Sequence, residues 1–257
     1  MSEMQESQMG TDEEQEGGWG VKLDSNVLIN ILKEFDTTGM KDTLIKPKDG
    51  GWDMHSMDAS CTSIVAAYIK PAAFPEGNTL ENDVTISIPF LLDVLQKDKI
   101  CDISIDGGNL TVKYDRSKRS KRLYESEEGP RPAPKLDCMS TCILMSDDIM
   151  NIAKQKCFET IVTDNGGVTL RMTETGVTFE SISEVESAVM SLEGTSVLEG
   201  GDQQATFPIS VFLPMLRALP KNTMVTVNLK TDFPIHISLD EDTYSMDVYV
   251  APLIAQE

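Results

Sequence analysis

SNVLINILK, at Ser25–Lys33, occurs again in altered form as SDDIMNIAK, at Ser146–Lys154. The two segments begin 146 − 25 = 121 residues apart. A second pair, IPFLLDVL at Ile88–Leu95 and ISVFLPML at Ile209–Leu216, has the same spacing of 209 − 88 = 121 residues. Two matches at one offset indicate an internal duplication. The sequence therefore predicts two similar domains, each with two amphipathic helices.

The length and composition agree with two folded domains. A chain of 257 residues divides into two domains of ordinary size. The hydrophobic content of 40% supports a core in each of them, and no apolar run approaches the roughly 18–20 residues that span a bilayer. We expect the first domain at 21–123, a connector at 124–136 and the second domain at 137–257.

The N-terminal segment differs in composition from the rest of the chain. Its sequence, MSEMQESQMGTDEEQEGG, is polar and acidic, which is typical of disorder and unlike a secretory signal. We predict that residues 1–20 form a disordered acidic extension and that the protein is not secreted.

Periodicity predicts the elements within each half. After an N-cap at Asp24 or Ser25, apolar residues recur at helical spacing: Val27, Leu28, Ile31, Leu32 and Phe35. Alternating apolar residues predict hairpins at 103–114, 168–179 and 225–239, and a last strand at 246–250. The predicted order in each half is helix, hairpin, helix and further strands, which makes an α+β fold.

The segment between the halves, ESEEGPRPAPK at Glu125–Lys135, has the composition of a linker. It contains three prolines, one glycine and no aliphatic side chain larger than alanine. Such a segment is typically extended and forms no regular element.

The five cysteines are odd in number and none forms a C-x-x-C pair. They predict buried free thiols in a reducing compartment. Cys138 and Cys142, with His55 and His236 as the only histidines, offer too few suitable ligands for a zinc site. We therefore expect no metal and no cofactor.

No arrangement in the sequence indicates catalysis. His236 lies between Ile235 and Ile237, where alternation favours a solvent-facing strand position over the role of a base. Paired glycines at 107–108 and 166–167 fall at hairpin turns and not in a phosphate-binding loop. The net charge of −20 indicates an acidic exterior, which normally disfavours nucleic acid, so the positions of the 22 basic residues matter most.

The chain contains SMDAS at Ser56–Ser60, DFP at 232–234 and YVAPLI at Tyr249–Ile254. Together these three stretches resemble the proliferating cell nuclear antigen family of DNA sliding clamps. SMDAS is similar to a turn of that family. DFP resembles its D-x-P segment, and YVAPLI matches its terminal Y-x-A-P-x-I. These markers occur in order, and the resemblance extends from about residue 21 to the end and includes the duplication.

The resemblance implies a closed trimeric ring, with helices lining a central channel and antiparallel β-sheets outside. Such a ring encircles double-stranded DNA without sequence preference, and a linked ring slides but does not dissociate. It tethers DNA polymerase and binds the clamp loader, ligase and nuclease through clamp-interacting peptides. The resemblance further implies a processivity factor that is not an enzyme, located in the cytoplasm or nucleoid if archaeal and in the nucleus if eukaryotic.

By position, the resemblance assigns four cations to the DNA-facing channel: Lys33, Lys97, Lys154 and Arg217. Lys33 and Lys154 occupy the same place in the two repeats, since 154 − 33 = 121. Asp36, Asp93 and Asn151 stand where many such clamps carry basic residues. We therefore expect the channel to attract DNA only weakly.

A second implied site is a groove that accepts a short helical turn of a partner protein. Its walls would come from the SMDAS turn, the linker and the C-terminal strand. The residues assigned to it are Met57, Cys61, Thr62, Pro132, Ala133, Pro134, Pro234, Tyr249, Ala251, Pro252 and Ile254.

The densest basic cluster is predicted to lie at a subunit interface. It consists of Arg116, Lys118, Arg119, Lys121 and Arg122. Opposite it, on the next subunit, the resemblance places an acidic strand with Glu180, Glu184 and Glu186. Complementary charges at the two edges would steer head-to-tail closure and discourage wrong pairings.

Two other interpretations stay open. The chain could be one subunit of a heterotrimeric or checkpoint-type clamp, which would not trimerise alone. It could also be an acidic cytosolic enzyme built on a duplicated α+β domain, although the sequence offers no plausible nucleophile or base for that role.

Overall fold

The computed structural model describes residues 19–123, 140–157, 166–182, 187–193 and 197–254. Most of the predicted N-terminal extension and the predicted connector at 124–136 lie outside these residues. The first strand begins at Trp19, so Trp19 and Gly20 belong to it and not to the extension.

Each half of the chain begins with a strand that leads directly into a helix. The described helices are α1 (Ser25–Thr37), α2 (Ile88–Val94), α3 (Ser146–Ala153) and α4 (Ile209–Ala218). The strands of the first half are β1 (Trp19–Asp24), β2 (Asp42–Lys48), β3 (Gly51–Met57), β4 (Ser63–Ile69), β5 (Val84–Ser87), β6 (Ile100–Asp106), β7 (Asn109–Tyr114) and β8 (Ser117–Arg122). Those of the second half are β9 (Ser140–Met145), β10 (Gly167–Thr173), β11 (Gly176–Ile182), β12 (Ser187–Glu193), β13 (Val197–Glu199), β14 (Gln203–Pro208), β15 (Met224–Leu229), β16 (Ile235–Asp240) and β17 (Tyr244–Val250).

The duplication is present in the structure, because α1 and α3 begin 146 − 25 = 121 residues apart and α2 and α4 begin 209 − 88 = 121 residues apart. The three predicted hairpins and the last strand are confirmed as β6–β7, β10–β11, β15–β16 and β17. The prediction of a single hairpin between the first two helices is wrong, since four strands lie there. β2 ends in Lys-Pro-Lys and β5 has four residues, so neither shows a long alternating pattern.

Helix α1 starts at Ser25 because the preceding residue caps it. The Asp24 carboxylate accepts a hydrogen bond from the Asn26 N–H at 2.9 Å, which satisfies one of the free donors of the first turn. Burial of one face then holds the helix on the sheets, and each large aliphatic side chain contributes about 1.5–3 kcal/mol. The residues of that face with 0% exposure are Leu28, Ile31, Leu32 and Phe35.

The strands form three antiparallel sheets. One sheet, β1-β6-β7-β8, comes from the first half, and another, β12-β11-β10-β14, comes from the second. The third sheet has the order β13-β9-β15-β16-β17-β4-β3-β2-β5 and contains strands of both halves. It crosses from one half to the other where β17 pairs with β4, from Tyr244 opposite Ile69 to Val250 opposite Ser63.

The duplication relates these sheets to one another. In each half, the strand before the first helix joins the three strands after the second helix, as β1-β6-β7-β8 and β9-β15-β16-β17. The other strands form β5-β2-β3-β4 in the first half and β14-β10-β11-β12 in the second. β8 is therefore the repeat counterpart of β17, and β12 is the counterpart of β4. β17 and β4 pair within the chain, whereas β8 and β12 each end a sheet in the described structure.

The helices contact one another in the order α2–α1–α4–α3, so α1 and α4 meet across the boundary between the halves. One apolar core runs through both halves. Its largest side chains include Phe207 and Phe212, whose ring centroids lie 4.9 Å apart. None of the described helices has the length and apolar character that crossing a bilayer requires.

The prediction of buried thiols holds for two cysteines and is wrong for two. Cys101 and Cys142 are buried and free, and burial raises the pKa of each thiol to about 12. Cys61 and Cys157 are exposed, and neither lies on the inward face of a strand. Cys138 lies outside the described residues.

One carboxylate, that of Glu34 on α1, is buried at the junction of the halves. Its exposure is 0%, and neither side-chain oxygen has a hydrogen-bond partner among the described residues. Burial raises the pKa of Glu34 well above its ordinary value, because removal from water disfavours the charged form. On the same helix, the Asn30 amide donates to the Tyr244 hydroxyl at 3.3 Å and so connects α1 to β17.

We expect Glu34→Gln to stabilise the protein at alkaline pH and to have little effect near pH 4. Below an ordinary glutamate pKa of about 4.3, both the folded and the unfolded chain carry the protonated group. As the pH rises, Glu34 ionises in the unfolded chain but stays protonated in the folded one. The free energy of unfolding therefore falls until the buried carboxyl group also ionises. Glutamine removes this loss, which is on the order of 1–3 kcal/mol.

Urea unfolding at pH 4 and pH 8 measures this difference. Glu81→Gln is the matched control, because Glu81 is exposed and the substitution removes the same charge. A stabilisation by Glu34→Gln that is equal at the two pH values would show that ionisation of this group does not govern the effect.

Candidate functional surfaces

A groove of about 490 Å³ lies where α1 meets α4. The four cations assigned to a DNA-facing channel all line it. Lys33 lies on α1 and Arg217 on the last turn of α4, while Lys97 and Lys154 follow α2 and α3. These residues come from both halves, and the packing of α1 against α4 brings them together.

A fifth cation, Lys221, lines the same groove from the turn between α4 and β15. The repeat offset does not identify it, because 97 + 121 = 218 leads from Lys97 to Ala218. The second loop is longer: β6 begins at Ile100 and β15 at Met224, which are 224 − 100 = 124 residues apart. Lys97 and Lys221 lie in equivalent loops of the two halves. This equivalence is the sequence signal that could have identified Lys221.

Three lysines of this groove, Lys33, Lys97 and Lys221, lie close enough to affect one another. Burial and the positive charges of Lys97 and Lys221 lower the pKa of Lys33, because each disfavours adding one more charge. None of these three lysines forms a salt bridge with a described residue. The carboxylate in the groove, Asp98, accepts a hydrogen bond from the Asn26 amide at 3.1 Å. The groove is thus a local site for an anion on an acidic protein.

Arg217 has a structural contact in addition to its charge. Its Nε donates to the carbonyl oxygen of Ala153 at 2.7 Å, at the end of α3. That carbonyl belongs to the last turn of the helix, where backbone acceptors lack partners within the helix. Substitution of Arg217 therefore changes the packing of α4 on α3 as well as the charge of the groove.

The three positions noted for their lack of positive charge are exposed. Asp36 lies on α1 and Asn151 on α3, while Asp93 on α2 pairs with Arg119 of β8 at 3.0 Å. Positive charge on this side of the molecule is therefore concentrated in the groove.

A second surface lies on the side of the nine-stranded sheet that faces away from the helices. The register aligns Met57 with Ile64, and Ile64 with Tyr249, so these half-buried side chains form a row across β3, β4 and β17. Beyond the last pair, the Ala251 N–H donates to the Thr62 carbonyl at 2.7 Å and continues the ladder. We call this surface the outer-face patch; it comprises Met57, Thr62, Ile64, Pro234, Tyr249 and Ala251.

The SMDAS turn positions one end of the patch through Asp58. The Asp58 carboxylate accepts hydrogen bonds from the N–H and hydroxyl of Ser63 and from Ser60, whose N–H lies 3.2 Å away. Partial burial opposes ionisation, but these hydrogen bonds outweigh it and lower the pKa of Asp58. Cys61 takes a left-handed backbone conformation, with φ at 58°, which completes the reversal into β4 and leaves its side chain exposed.

The chain after β17 extends the patch as an exposed apolar segment. The Leu253 N–H donates to the Thr206 carbonyl at 2.7 Å, which anchors the segment on β14. Pro252 is half-buried, whereas Ile254 is 77% exposed. Phe233, in the DFP segment, is 46% exposed and was not among the assigned residues. The predicted contributions of Pro132, Ala133 and Pro134 lie outside the described residues.

The basic cluster lies on β8 and just before it, and β8 ends its sheet in the described structure. Its position at a subunit interface stays a prediction. All six residues of β8 are exposed, and Arg116 lies in the turn before it. Two of the cations are held within the chain: Arg119 by Asp93, and Lys121 by the Ser87 hydroxyl at 2.7 Å. Lys118 and Arg122 point from the edge without a salt bridge to a described residue.

The placement of Glu180 on a free edge is wrong. Glu180 lies on β11, which pairs with β10 on one side and β12 on the other. It faces Arg171 of β10, with 3.5 Å between Arg171 Nη2 and Glu180 Oε2. The edge strand is β12, where Val189 is 58% exposed. Glu184 and Glu186 precede this strand and lie outside the described residues.

The chemistry of these surfaces is that of binding. Among the described residues, no group of three or more His, Cys, Asp or Glu side chains is placed to hold a metal ion. The groove offers cations to an anion, the outer-face patch offers apolar contacts to a short segment, and the edges offer backbone hydrogen bonds to another strand.

No protein-family model matches the sequence, and no curated protein matches it. Solved structures of proliferating cell nuclear antigen (PCNA) do match the fold. The PCNA of A. fulgidus, solved with the C-terminal region of FEN-1 bound, has a TM-score of 0.79 and 16% identity, covering 93% of this chain and 100% of that chain. The PCNA of Entamoeba histolytica has a TM-score of 0.79 and 18% identity, with coverages of 92% and 99%. That of Thermococcus kodakaraensis has a TM-score of 0.78 and 13% identity, with coverages of 91% and 100%.

The chain therefore has the PCNA-type sliding-clamp fold, a duplicated α+β architecture with antiparallel sheets. The identities of 13–18% make this a likeness of fold. It agrees with the fold class predicted from the repeats.

Neutralising Lys33 and neutralising Arg217 should have different effects on the free energy of unfolding. We expect Lys33→Gln to leave the free energy of unfolding unchanged or to raise it slightly at low salt, because it relieves repulsion among like charges. Arg217→Gln should lower it by about 1 kcal/mol, because the Ala153 carbonyl loses its partner. Urea unfolding at low and at high NaCl is the suitable measurement, because guanidinium chloride is itself a salt. High NaCl should remove the effect of Lys33→Gln but not that of Arg217→Gln.

Lys113→Gln serves as the control, since Lys113 is an exposed lysine on β7 away from the groove. A clear loss of stability in Lys33→Gln would contradict the view that the groove lysines are mutually repulsive.

Proposed function

We propose that the chain is the subunit of a DNA sliding clamp: three copies close head to tail into a ring around double-stranded DNA, and the ring tethers DNA polymerase and other replication and repair proteins. In this role it is a scaffold and not an enzyme. It works wherever the duplex DNA of its cell or virus is replicated.

The observation that carries the proposal is the joint between β17 and β4. These strands pair over seven residues within the chain. Their repeat counterparts, β8 and β12, are two of the strands that end a sheet in the described structure. A strand edge exposes unpaired N–H and C=O groups, which another strand can satisfy. Pairing β8 of one copy with β12 of the next would repeat the internal joint between chains.

Such an interface is heterologous, because each copy contributes a different edge. A heterologous interface propagates until the rotation between copies closes it into a ring. The outer sheets would then be continuous around the ring, and the row of four helices in each chain would line its inside. A heterotrimer would need the same two edges but different chains, so the oligomeric state of the pure protein separates the two cases.

The groove supplies the contact with DNA in this proposal. Three chains carry a formal charge of 3 × −20 = −60, which repels DNA at long range. Locally, each chain offers the groove cations at the junction of α1 and α4. A few phosphate contacts for each chain give weak, sequence-independent attraction, so retention has to come from the closed ring.

Partner proteins would dock on the outer-face patch and the chain after β17. These residues are apolar, exposed or half-buried, and close to backbone groups that can bind an extended or helical peptide. In the similar A. fulgidus structure, a C-terminal region of FEN-1 is bound to PCNA, which supports peptide capture as the mode of partner binding here.

Assembly and topological retention test the proposal together. We expect the pure protein to run as a trimer at micromolar concentration, measured by size-exclusion chromatography with light scattering. Once a clamp loader has closed it on nicked circular DNA, it should remain bound through gel filtration and should be lost when a restriction enzyme linearises the DNA. Retention that does not depend on DNA circularity would contradict the topological mechanism.

Charge reversal at the edge provides the matched test of the joint. Lys118→Glu with Arg122→Glu alters two cations of β8 that have no salt bridge within the described chain, and should shift trimers towards monomers. Lys41→Glu with Lys99→Glu changes the net charge equally, at exposed positions that are neither on β8 nor opposite it, and should leave the trimer intact. If both double variants behave alike, β8 is not the interface.

A further inference from the structure

The two rings of His236 and Tyr249 stack on the outer face of the sheet. They face each other across β16 and β17, with ring centroids 4.6 Å apart and an interplanar angle of 7°. Tyr249 belongs to the outer-face patch, whereas His236 was interpreted from the sequence only as a solvent-facing strand residue. The stack makes the histidine the support of the patch's one aromatic side chain.

A chain of hydrogen bonds fixes the histidine ring. Its Nε2 lies 2.7 Å from Asp247 Oδ1, and its Nδ1 lies 3.1 Å from the Asn228 amide nitrogen. The Asn228 carbonyl oxygen in turn accepts from the Thr141 hydroxyl at 2.7 Å. The network therefore spans four neighbouring strands, β9, β15, β16 and β17.

These contacts specify one form of the imidazole. The Asn228 amide N–H donates, so Nδ1 must accept, and the proton of the neutral ring must lie on Nε2, where it is donated to Asp247. The second proton of an imidazolium would lie on Nδ1 and would meet the Asn228 amide hydrogens. The Nδ1 contact with the amide would then have to break, so the ring or the amide would turn.

Among the described residues, the ion-pair partner of His236 is Asp247 on β17. Lys230 follows the end of β15, and its Nζ lies 4.1 Å from the centroid of the Phe233 ring. The asparagine and the aspartate thus decide which form of His236 fits the stack.

We propose that His236 is a positioning residue for partner binding: it holds the Tyr249 ring in the orientation that a partner peptide contacts, and it does so in its neutral form. This inference rests on the proposed function of the outer-face patch. It adds a regulatory property, namely that partner affinity is lower when the His236 ring carries the second proton, because that form does not fit the Asn228 contact.

Fluorescence anisotropy of a labelled peptide with the FEN-1 C-terminal sequence, titrated with the full chain between pH 8 and pH 5, tests this inference. We expect the wild-type affinity to fall on acidification. His236→Ala should weaken binding about fivefold at pH 8, the order of effect expected for one aromatic stack. His236→Phe keeps the stack without the hydrogen bonds, and should bind with an affinity that no longer varies with pH.

His55→Gln is the matched control. His55 is the other histidine and also lies half-buried on a strand, but it contacts Asp53 of the same strand, with Nε2 3.3 Å from Oδ1. This variant should keep both the wild-type affinity and the wild-type pH profile. Wild-type binding by His236→Ala, or an unchanged pH profile in His236→Phe, would overturn the role of His236. Urea unfolding of each variant identifies any loss that comes from misfolding.

A fourth variant distinguishes failure of this inference from failure of the proposed function. Ile254→Ser alters an exposed residue of the segment after β17, and Met224→Ser alters another exposed apolar residue elsewhere, with exposures of 77% and 62%. If Ile254→Ser weakens binding and His236→Ala does not, the patch binds partners and His236 has no part in it. If the wild type does not bind the peptide, or if Ile254→Ser and Met224→Ser bind equally well, the assigned partner surface is wrong, and the inference about His236 fails with it.

Discussion

Pairing between β17 and β4 is the constraint on which the rest of the structure depends. It is a ladder of backbone hydrogen bonds between β17, the last strand of the second half, and β4 of the first half. This ladder joins the two repeats into one body. Because the sheets are joined there, α1 lies beside α4 and the cations of both halves meet in one groove. The same ladder places Ile64 beside Tyr249 and builds the outer-face patch across the boundary. The repeat counterparts of these two strands, β8 and β12, do not pair with each other within the chain, and each ends a sheet in the described structure.

Much of this architecture could be predicted from the sequence, because it depends on local patterns. The offset of 121 residues, the apolar face of α1 and the hairpin at Gly107 and Gly108 each follow from residues close together in the chain. The order of the strands in the sheets does not follow from residues close together in the chain. The prediction for Glu180 failed because the acidic composition of the region around it says nothing about which strand has two neighbours. Short strands such as β5 were missed since four residues give too little alternation.

The functional surfaces divide in the same way. The resemblance assigned four groove cations by position, and the repeat offset relates Lys33 to Lys154. Lys221 lies in a loop whose length differs between the halves, so the offset misses it. The stack of His236 on Tyr249 depends on the register of β16 and β17, which no single strand reveals. Glu34, by contrast, carried a signal: it is three residues beyond Ile31 and seven beyond Val27, on the apolar stripe of α1, where a carboxylate is unexpected.

In the proposed clamp, the distribution of charge separates two tasks. The net charge of −20 repels both DNA and other copies of the chain at long range, which suppresses unspecific contacts. Clusters of cations lie in the groove and on β8, two places where an anion or an acidic neighbour would be met. Because a closed ring is held by topology, the groove need not bind DNA tightly, and the time spent on DNA depends on how long the joints between subunits last. The strand SKRSKR has no apolar side chain to bury, so such a joint would rest on backbone hydrogen bonds and charge. Salt would then control residence on DNA mainly by opening the ring, and only secondarily by weakening phosphate contacts.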